Sequence, residues 1–472
     1  MARPTPLSGY PEWLPAERIV EQRVVDLLRE SFELHGFASV RTRAVEPLAT
    51  LLSKGEIDKE VYVVRRLHSD PGAEVAEDAL ALHYDLTVPF ARYVLENAGK
   101  LAFPFRRYQI QPAWRGERPQ EGRYREFCQA DVDIVDRDRL AGHHDVEVAQ
   151  VMAAALERLP LPRLTMQVNN RKLIEGYYRG IGVDPADVPA VMRVVDKLDK
   201  IGPDAVSDGL REQAGLNAVQ ARACLALAEV SAEVSPGDSA GVSPEVGHGD
   251  SAGDTSLVDR VAALGVRDPL LDAGLEELVG VLEGTAALSS PRFRVVADLR
   301  IARGLDYYTG TVYETRMSGF ESLGSVCSGG RYDALASDGR TSYPGVGVSF
   351  GVTRALAPLF GRGLLTATRS TPSCVLVALP EESSRRSCDA LAARLRARGI
   401  ATEVAPESAR YGKQIRFAQR RGIPFVWFPA DATDSGQEEV RDIRSGEQVP
   451  ADPASWAPPA EDLRPGIVET TR

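Results

Sequence analysis

The chain has 472 residues, 43% of them hydrophobic and 26% charged, which is typical of an ordinary water-soluble globular protein of two to four domains. Its net charge of −11 argues against a general DNA-coating protein but leaves room for RNA contact through a local basic patch. Five cysteines without a C-x-x-C pair favour reduced thiols in a cytoplasmic protein, and we expect neither a signal peptide nor a membrane span.

Helical and strand-like patterns alternate along most of the chain. Residues 16–35 predict an amphipathic helix, because apolar residues recur there at helical spacing between Pro15 and Gly36. Further helical patterns cover residues 145–159, 172–230 and 257–282, and strand-like runs cover 61–64, 134–135, 164–168 and 293–313.

A low-complexity segment interrupts this pattern at residues 231–256. Gly-Asp-Ser-Ala-Gly occurs at 237–241 and again at 249–253, and the segment lacks the apolar content that a folded core requires. We therefore expect it to be a disordered surface insertion.

The last hundred residues have a different organisation. A linker-like stretch that carries Gly, Ser, Thr and Pro at 362–373 precedes a βαβαβ alternation, which indicates a parallel sheet covered by helices. A terminal hairpin is predicted to turn at Ser445-Gly446.

An arginine-rich polar loop lies between two extended segments at residues 108–133. Arg115 and Glu117 precede the tip of the loop. Polar residues after the tip share one face of the returning strand, since side chains alternate along a strand: Gln129, Asp131 and Asp133. Such a hairpin can hold a triphosphate with its arginines and an ammonium with its carboxylates, although a charged, solvated hairpin explains the same pattern.

Other segments also combine polar and aromatic residues. In residues 82–93, Asp85 and Thr87 stand two apart, and Thr87 is equally well explained as a helix N-cap. Residues 303–314, Arg-Gly-Leu-Asp-Tyr-Tyr-Thr-Gly-Thr-Val-Tyr-Glu, predict an extended strand along the floor of a polar pocket.

Two glycine-rich segments follow. Ser-Gly-Gly-Arg-Tyr-Asp at 328–333 permits close backbone approach, or simply forms a tight turn. A glycine-rich apolar strand at 345–352 leads to Arg354, which is placed for an anion or lies exposed on a first helical turn. No G-x-x-x-x-G-K-[ST] motif occurs, so a bound nucleotide depends on arginines for its phosphates.

Taken together, these segments resemble the class II aminoacyl-tRNA synthetases and, more narrowly, the histidyl-tRNA synthetase family. Trp-Arg-Gly-Glu-Arg-Pro-Gln-Glu-Gly-Arg-Tyr-Arg-Glu-Phe resembles class II motif 2, Gly-Val-Ser-Phe-Gly-Val-Thr-Arg resembles motif 3, and the segments at 303–314 and 328–333 are similar to the two histidine signatures. The chain departs from the pattern at Thr353, where motif 3 usually has Glu, and at residues 41–44, where motif 1 usually has a proline.

The resemblance implies an α+β fold: a class II antiparallel-sheet catalytic domain with a helical insertion, plus a C-terminal α/β anticodon-binding domain. The implied boundaries are 1–168 and 289–366 for the two parts of the catalytic domain, 169–288 for the insertion and 371–472 for the anticodon-binding domain.

The resemblance also implies the reaction and its residues. Histidine and ATP, with Mg²⁺, would form histidyl-adenylate, and the histidyl group would pass to the 3′ end of tRNA(His). The implied catalytic arginines are Arg115, Arg303 and Arg354, and the implied ATP-binding residues are these three with Glu117 and Phe127. The implied histidine-binding residues are Asp85, Leu86, Thr87, Arg115, Gln129, Asp133, Arg303, Tyr307, Tyr308 and Tyr332.

The implied partners are tRNA(His), histidine, ATP and a second copy of the chain, with no DNA and no membrane. No zinc site made by histidine or cysteine is expected, because the adjacent His143 and His144 lie about 100° apart on a helix. Two alternatives are an inactive synthetase paralogue that acts as a regulatory subunit or histidine sensor, and a pure RNA-binding module. The intact histidine signatures argue against the first, and the three arginines argue against the second.

Overall fold

The computed structural model describes residues 5–52, 60–68, 79–234, 242–243, 256–301, 307–430, 433 and 435–470. The chain forms two compact units. The first unit consists of Met1–Pro11 and Val25–Pro358, and the second of Glu12–Val24 and Leu359–Arg472.

The α-helices follow in chain order: α1 Pro15–Leu34, α2 Leu48–Leu52, α3 Thr87–Asn97, α4 His143–Glu157, α5 Arg171–Gly180, α6 Val188–Val195, α7 Leu198–Glu212, α8 Ala218–Ala228, α9 Leu257–Ala262, α10 Pro269–Thr285, α11 Val352–Gly361, α12 Arg385–Ala397 and α13 Tyr411–Arg421. Among these described helices, none combines the length and the apolar character that crossing a bilayer requires.

The strands of the first unit are β1 Ala38–Ser39, β2 Val45–Pro47, β3 Val63–Val64, β4 Leu80–Leu82, β5 Phe105–Trp114, β6 Glu126–Val135, β7 Leu164–Asn170, β8 Ser231–Val234, β9 Val242–Ser243, β10 Phe293–Asp298, β11 Thr311–Met317, β12 Cys327–Tyr332 and β13 Gly345–Gly351. Those of the second unit are β14 Leu365–Ala367, β15 Val375–Val377, β16 Thr402–Val404, β17 Phe425–Phe428, β18 Glu439–Asp442, β19 Gln448–Pro450 and β20 Ile467–Glu469.

Helix α1 confirms the first predicted helix. Val20, Val24, Leu28 and Phe32 are all fully buried. Because they recur every four residues, they form one apolar stripe along the helix.

A ten-stranded sheet organises the first unit. Its strand order is β1-β5-β6-β13-β12-β11-β7-β10-β8-β9. The five strands from β5 to β11 in this order pair antiparallel, and only the β1/β5 and β7/β10 pairs are parallel. The antiparallel sheet predicted for the catalytic part of the chain is therefore confirmed.

The hairpin of β5 and β6 confirms the two extended segments predicted around the arginine-rich loop. Ten residue pairs hold it in register, from Phe105 opposite Val135 to Trp114 opposite Glu126. Since this hairpin lies next to β13, it brings the loop segment beside the predicted motif 3 strand.

The predicted helices between residues 172 and 230 are present as α5 to α8. The structure differs from the expected disordered insertion at its start, because Ser231–Val234 forms β8 and pairs antiparallel with β10. Residues 235–241 and 244–255 of that insertion lie outside the described residues.

The second unit contains a five-stranded sheet in the order β16-β15-β17-β18-β19. The first two pairings are parallel and the last two antiparallel, which confirms both the α/β organisation and the terminal hairpin. Leu391 and Leu395 of α12 and Ala418 of α13 pack into the same buried core as Trp427 of β17.

The segment expected to link the two parts of the chain is partly structured. Leu365–Ala367 pairs antiparallel with Ile467–Glu469. The strand that follows α11 therefore belongs to the second unit, and the predicted domain boundary at residue 371 stays a prediction.

Candidate active site

One face of the large sheet carries a row of polar residues that crosses five adjacent strands. Register partners form this row, in the order Gln109, Asp131, Ser349, Ser328 and Glu314. Directly opposed residues point to the same face of a sheet. The row therefore provides a continuous polar floor from β5 to β11.

A cavity of about 300 Å³ lies over this floor, and we call it the acidic cavity. Most of the predicted histidine-binding residues that the structure describes line it: Asp85, Thr87, Arg115, Gln129, Tyr307 and Tyr308. Asp131, Glu314, Ser328 and Ser349 also contribute to its wall. The structure thus brings together residues from five separate segments of the sequence.

Two buried acceptors in the wall of the acidic cavity have no hydrogen-bond partner among the described residues. Asp85 Oδ1 accepts the Val88 N–H at 3.1 Å, while its Oδ2 has no partner. Gln129 Nε2 donates to Ser349 Oγ at 2.9 Å, while its Oε1 has no partner. Unpaired buried acceptors are costly, so they point to a missing donor.

Burial changes the acidity of this wall. It raises the pKa of Asp85 to about 6, against the opposing effects of the Val88 N–H, Arg115 and Arg107. It also raises the pKa of Asp131 to about 7, against the attraction of Arg107. A cation in the cavity would favour the ionised form of both carboxyls.

Thr87 is the first residue of α3, and no side chain caps that helix from the N-cap position. The interpretation of Thr87 as an N-cap is therefore wrong. The side chain of Asp85 makes the contact with the first turn, and Thr87 lines the cavity.

Three of the predicted residues lie behind the cavity wall. Asp133, Tyr332 and Leu86 are almost completely buried. The Tyr332 hydroxyl donates to Asp133 Oδ1 at 2.8 Å, and Arg107 Nη2 lies 2.7 Å from Asp133 Oδ2. Burial raises the pKa of Asp133, and Arg107 opposes that shift.

Aromatic side chains connect this rear wall to the cavity. The ring of Tyr307 lies 4.9 Å from that of Tyr308 and 6.1 Å from that of Tyr332, edge to face in both cases. Burial holds the pKa of all three hydroxyls above the ordinary value, so they stay protonated at neutral pH.

A second cavity, of about 100 Å³, holds the predicted ATP-binding residues that the structure describes, and we call it the arginine cavity. Its wall includes Arg115, Glu117, Phe127 and Arg354. Arg115 also lines the acidic cavity, so its side chain is shared by the two cavities. Its Nε donates to the Tyr84 carbonyl at 3.0 Å, and its guanidinium lies 5.2 Å from the centre of the Phe127 ring.

The arginine cavity is strongly cationic. Burial lowers the pKa of the Arg354 guanidinium, and the nearby charges of Arg123 and Arg115 lower it further. Glu117 offsets part of this charge through an ion pair with Arg123 at 2.8 Å. Guanidinium groups gathered in this way are suited to a polyphosphate.

Thr353, which stands where motif 3 usually has Glu, has a structural contact of its own. Its hydroxyl accepts the Cys128 N–H at 2.8 Å. Thr353 therefore ties the first turn of α11 to β6 beside Phe127.

An outer cavity of about 610 Å³ adjoins the arginine cavity. The two share Arg123, Ser325, Ser328 and Arg354. Glu314 lines both the outer and the acidic cavity, and burial raises its pKa to about 7.

The two histidine signatures each contain an arginine, and the structure describes only the second of them. Arg303 lies outside the described residues, so its predicted roles stay predictions. Arg331 is buried in an ion pair with Asp145, with Nη2 and Oδ2 2.5 Å apart, and it donates to the carbonyls of Leu140 and Ala141. Arg331 therefore connects β12 to the start of α4.

His143, His144 and Glu147 place potential metal-ligand atoms within 4.8 Å of one another. The two carboxylate oxygens of Glu147 are already engaged, by Arg106 Nε at 2.8 Å and His144 Nδ1 at 2.7 Å. The expectation of no histidine or cysteine zinc site stays a prediction.

The sequence arguments did not assign several residues that the structure places in these cavities. Arg123 lies within the quoted motif 2 segment, and Asp131 lies beyond it on the returning strand, where period-two spacing already put it on the face of Gln129. Ser349 could have been found as the polar residue between the buried Val348 and Phe350.

Comparison with known proteins agrees with this arrangement. The family model for histidyl-tRNA synthetase matches residues 9–355, and the model for the anticodon binding domain matches residues 373–456. A histidine–tRNA ligase of Cutibacterium acnes is 56% identical over 479 residues, which covers 100% of both chains. One from Micrococcus luteus is 53% identical over 477 residues, which covers 99% of both chains.

A solved structure supports the same relationship. The crystal structure of histidyl-tRNA synthetase from Nostoc sp. has a TM-score of 0.78 and 31% identity, over 96% of this chain and 97% of that one. The matches extend over the residues that form the acidic and arginine cavities. This chain therefore belongs to the histidyl-tRNA synthetase family.

Proposed function

We propose that the protein is a histidine–tRNA ligase. Histidine and ATP form histidyl-adenylate and release pyrophosphate, and the histidyl group then passes to the 3′ end of tRNA(His) with release of AMP. The observation that carries this proposal is the contact between the acidic and arginine cavities through Arg115. An amino acid in the first cavity and ATP in the second would meet at that guanidinium.

The first step needs no nucleophile from the protein. The histidine carboxylate attacks the α-phosphorus of ATP, its oxygen–phosphorus bond forms, and the bond to pyrophosphate breaks. Catalysis then consists of holding the two groups in line and stabilising the developing charge. Arg115 and Arg303 hold the carboxylate and α-phosphate, and Arg354 holds the γ-phosphate end.

The acidic cavity binds histidine in this proposal. The unpaired Asp85 Oδ2 and Gln129 Oε1 accept hydrogen bonds from the α-ammonium, with Thr87 beside them. Asp133 and Tyr308 bind the imidazole nitrogens. Buried hydrogen bonds of this kind reject analogues strongly, because an analogue leaves them unpaired. Leu86, Tyr307 and Tyr332 complete the wall.

The arginine cavity binds ATP. Phe127 and Glu117 flank the adenine, and the three arginines neutralise the phosphates. ATP would bring Mg²⁺ with it. Glu314, which lines the outer cavity beside Arg354, would offer the carboxylate ligand that this cation prefers.

The second unit binds tRNA(His) through its anticodon-binding fold. We also propose a homodimer that works in the cytoplasm, as is typical of the family. Light scattering of the purified protein checks the dimer, which requires twice the 51.2 kDa mass of one chain.

Histidine-dependent exchange of pyrophosphate into ATP tests the activation step. We expect exchange with histidine and background exchange with the other amino acids. An inactive regulatory paralogue would bind histidine without exchange, and an RNA-binding module would show neither.

The role proposed for Arg303 has its own test in the same assay. We expect Arg303→Ala to lower exchange at least about a hundredfold with an unchanged thermal unfolding midpoint, because a transition-state cation is lost. Arg340→Ala, at an exposed turn, is the matched control. Near-normal exchange by Arg303→Ala would remove this residue from the mechanism.

A further inference from the structure

Arg107 is a completely buried arginine that the proposed mechanism does not use. It lies in β5, directly opposite Asp133 of β6. A buried charge is costly unless it is paired and hydrogen-bonded. The contacts of Arg107 therefore show which groups offset the cost of burying its charge.

The guanidinium of Arg107 makes its closest contact with Asp133 and also faces Asp131. Nη2 lies 2.7 Å from Asp133 Oδ2 and 3.9 Å from Asp131 Oδ2. Nη1 donates to Gln109 Oε1 at 3.3 Å, and the group lies 4.3 Å from the centre of the Phe90 ring. Arg107 is thus fixed on several sides, at the back of the acidic cavity and outside its wall.

Asp133 has little freedom to move away from this arginine. Gly347 is its register partner on the other side, in β13. A Cβ at Gly347 would come within 2.1 Å of Asp133 Oδ1, which also accepts the Tyr332 hydroxyl. The Asp133 carboxylate is therefore held between Arg107, Tyr332 and the backbone of β13.

Polar contacts continue from Arg107 to the other end of the cavity. The Ser349 hydroxyl donates to Asp131 Oδ1 and accepts from Gln129 Nε2. A chain of contacts therefore runs from Gln129, proposed to bind the α-ammonium, to Asp133, proposed to bind the imidazole. Arg107 is the single positive charge within that chain.

The charge balance depends on this arginine. Asp85, Asp131 and Asp133 are all almost completely buried. Like charges this close cannot all stay ionised without a cation, because the repulsion drives protons onto them. Arg107 compensates one of the two charges that it faces.

We propose that Arg107 is a positioning residue for histidine recognition. It lies behind the cavity wall, does not touch the substrate, holds the Asp131 and Asp133 carboxyls in place and compensates one of their two charges. This inference rests on the proposed function. It assigns specificity to a residue of β5 that belongs to none of the binding groups named above.

Arg107→Met tests the inference, since it keeps much of the side-chain length and removes the charge. We expect the KM for histidine in pyrophosphate exchange to rise about a hundredfold, as when one partner of a buried charge pair is truncated. The KM for ATP should change less than about threefold, because the arginine cavity is untouched. Arg340→Met is the control.

The double variant Arg107→Met/Asp131→Asn restores the original charge of the group. If Arg107 acts by compensating charge, the double variant should fold and should have a KM for histidine at least about tenfold below that of Arg107→Met. Should Arg107→Met not fold, a double variant that folds and shows histidine-dependent exchange still supports the inference, and one that does not fold overturns it.

Other results would also overturn the inference. They are a KM for histidine within about threefold of wild type in Arg107→Met, equal rises in the KM values for histidine and ATP, or a double variant no better than the single one. Each of these results counts against the inference only when the wild-type enzyme is active. If the wild type shows no histidine-dependent exchange, the proposed function itself fails.

Discussion

At the scale of single residues, the buried carboxyls of Asp85 and Asp131 govern the charge of the acidic cavity. Burial raises their pKa values to about 6 and about 7, whereas Arg115 and Arg107 act in the opposite direction. The empty cavity therefore takes up protons at a pH where exposed aspartates have lost them. An α-ammonium group would reverse this uptake.

This leads to a prediction about pH. Below the raised pKa values the carboxyls are protonated and bind an ammonium poorly, so histidine affinity should fall as the pH drops from about 8 to about 6. Calorimetry near pH 6.5, in buffers of different ionisation enthalpy, should show protons released from these carboxyls when histidine binds.

Asp131→Asn supplies the comparison for that measurement. The imidazole of histidine titrates in the same pH range, but its contribution to the proton release should be the same for wild type and for Asp131→Asn. The variant should release fewer protons than wild type, because one titrating carboxyl is gone. Equal proton release would show that Asp131 does not titrate on binding.

At the scale of secondary structure, glycines in β12 and β13 make room for the substrate pocket. A Cβ at Gly347 would meet Asp133 Oδ1 at 2.1 Å, and one at Gly330 would meet the Tyr308 ring at 2.9 Å. The missing side chains at Gly347 and Gly330 thus allow Asp133 to lie against the backbone of β13 and Tyr308 to lie against that of β12.

Gly347→Ala should therefore displace Asp133. We expect a rise of at least about tenfold in the KM for histidine, since a small displacement of a binding group has a large effect. Gly280→Ala is the matched control, because a Cβ there meets nothing within 4 Å and α10 should be slightly stabilised. Wild-type kinetics for Gly347→Ala would contradict the packing argument.

The elements near the site show what the sequence could and could not predict. The hairpin of β5 and β6 followed from alternation, and the α1 stripe followed from helical spacing. The extended strand predicted at 303–314 begins only at Thr311, and Tyr307–Gly310 lies outside any strand. Aromatic composition favoured a strand, but Thr309 donates from its N–H to the Arg331 carbonyl and from its hydroxyl to Asp333, and these contacts come from a separate segment.

The same limit applied to Arg107. The extended segment recognised in the sequence begins at Tyr108, so Arg107 was not assigned, and no local pattern indicates that it is completely buried. Its burial depends on Phe90 of α3 and Asp133 of β6, which reach it only in the folded sheet. Local pattern and family resemblance therefore indicated part of the cavity wall but not the buried arginine behind it.

At the scale of the whole molecule, we expect charging, but not activation, to require tRNA binding by the second unit. Arg416 and Arg420 are exposed, one turn apart, on α13 of the second unit. Basic residues in such positions attract the phosphates of RNA. We expect Arg416→Ala/Arg420→Ala to lower kcat/KM for tRNA(His) about tenfold at low salt and by a smaller factor at high salt, with unchanged pyrophosphate exchange.

Arg386→Ala is the control for that prediction, because Arg386 is exposed on the other helix, α12. It should retain wild-type charging. A double variant of α13 that charges tRNA(His) normally would remove this helix from the tRNA-binding surface.

Charging of tRNA(His) with labelled histidine tests the central claim most directly, because it requires both steps in one reaction. With ATP present, we predict that label accumulates on tRNA(His), and that periodate oxidation of the tRNA 3′ end beforehand abolishes it. Transfer of a different amino acid, or histidine-dependent pyrophosphate exchange without any label on the tRNA, would contradict the account.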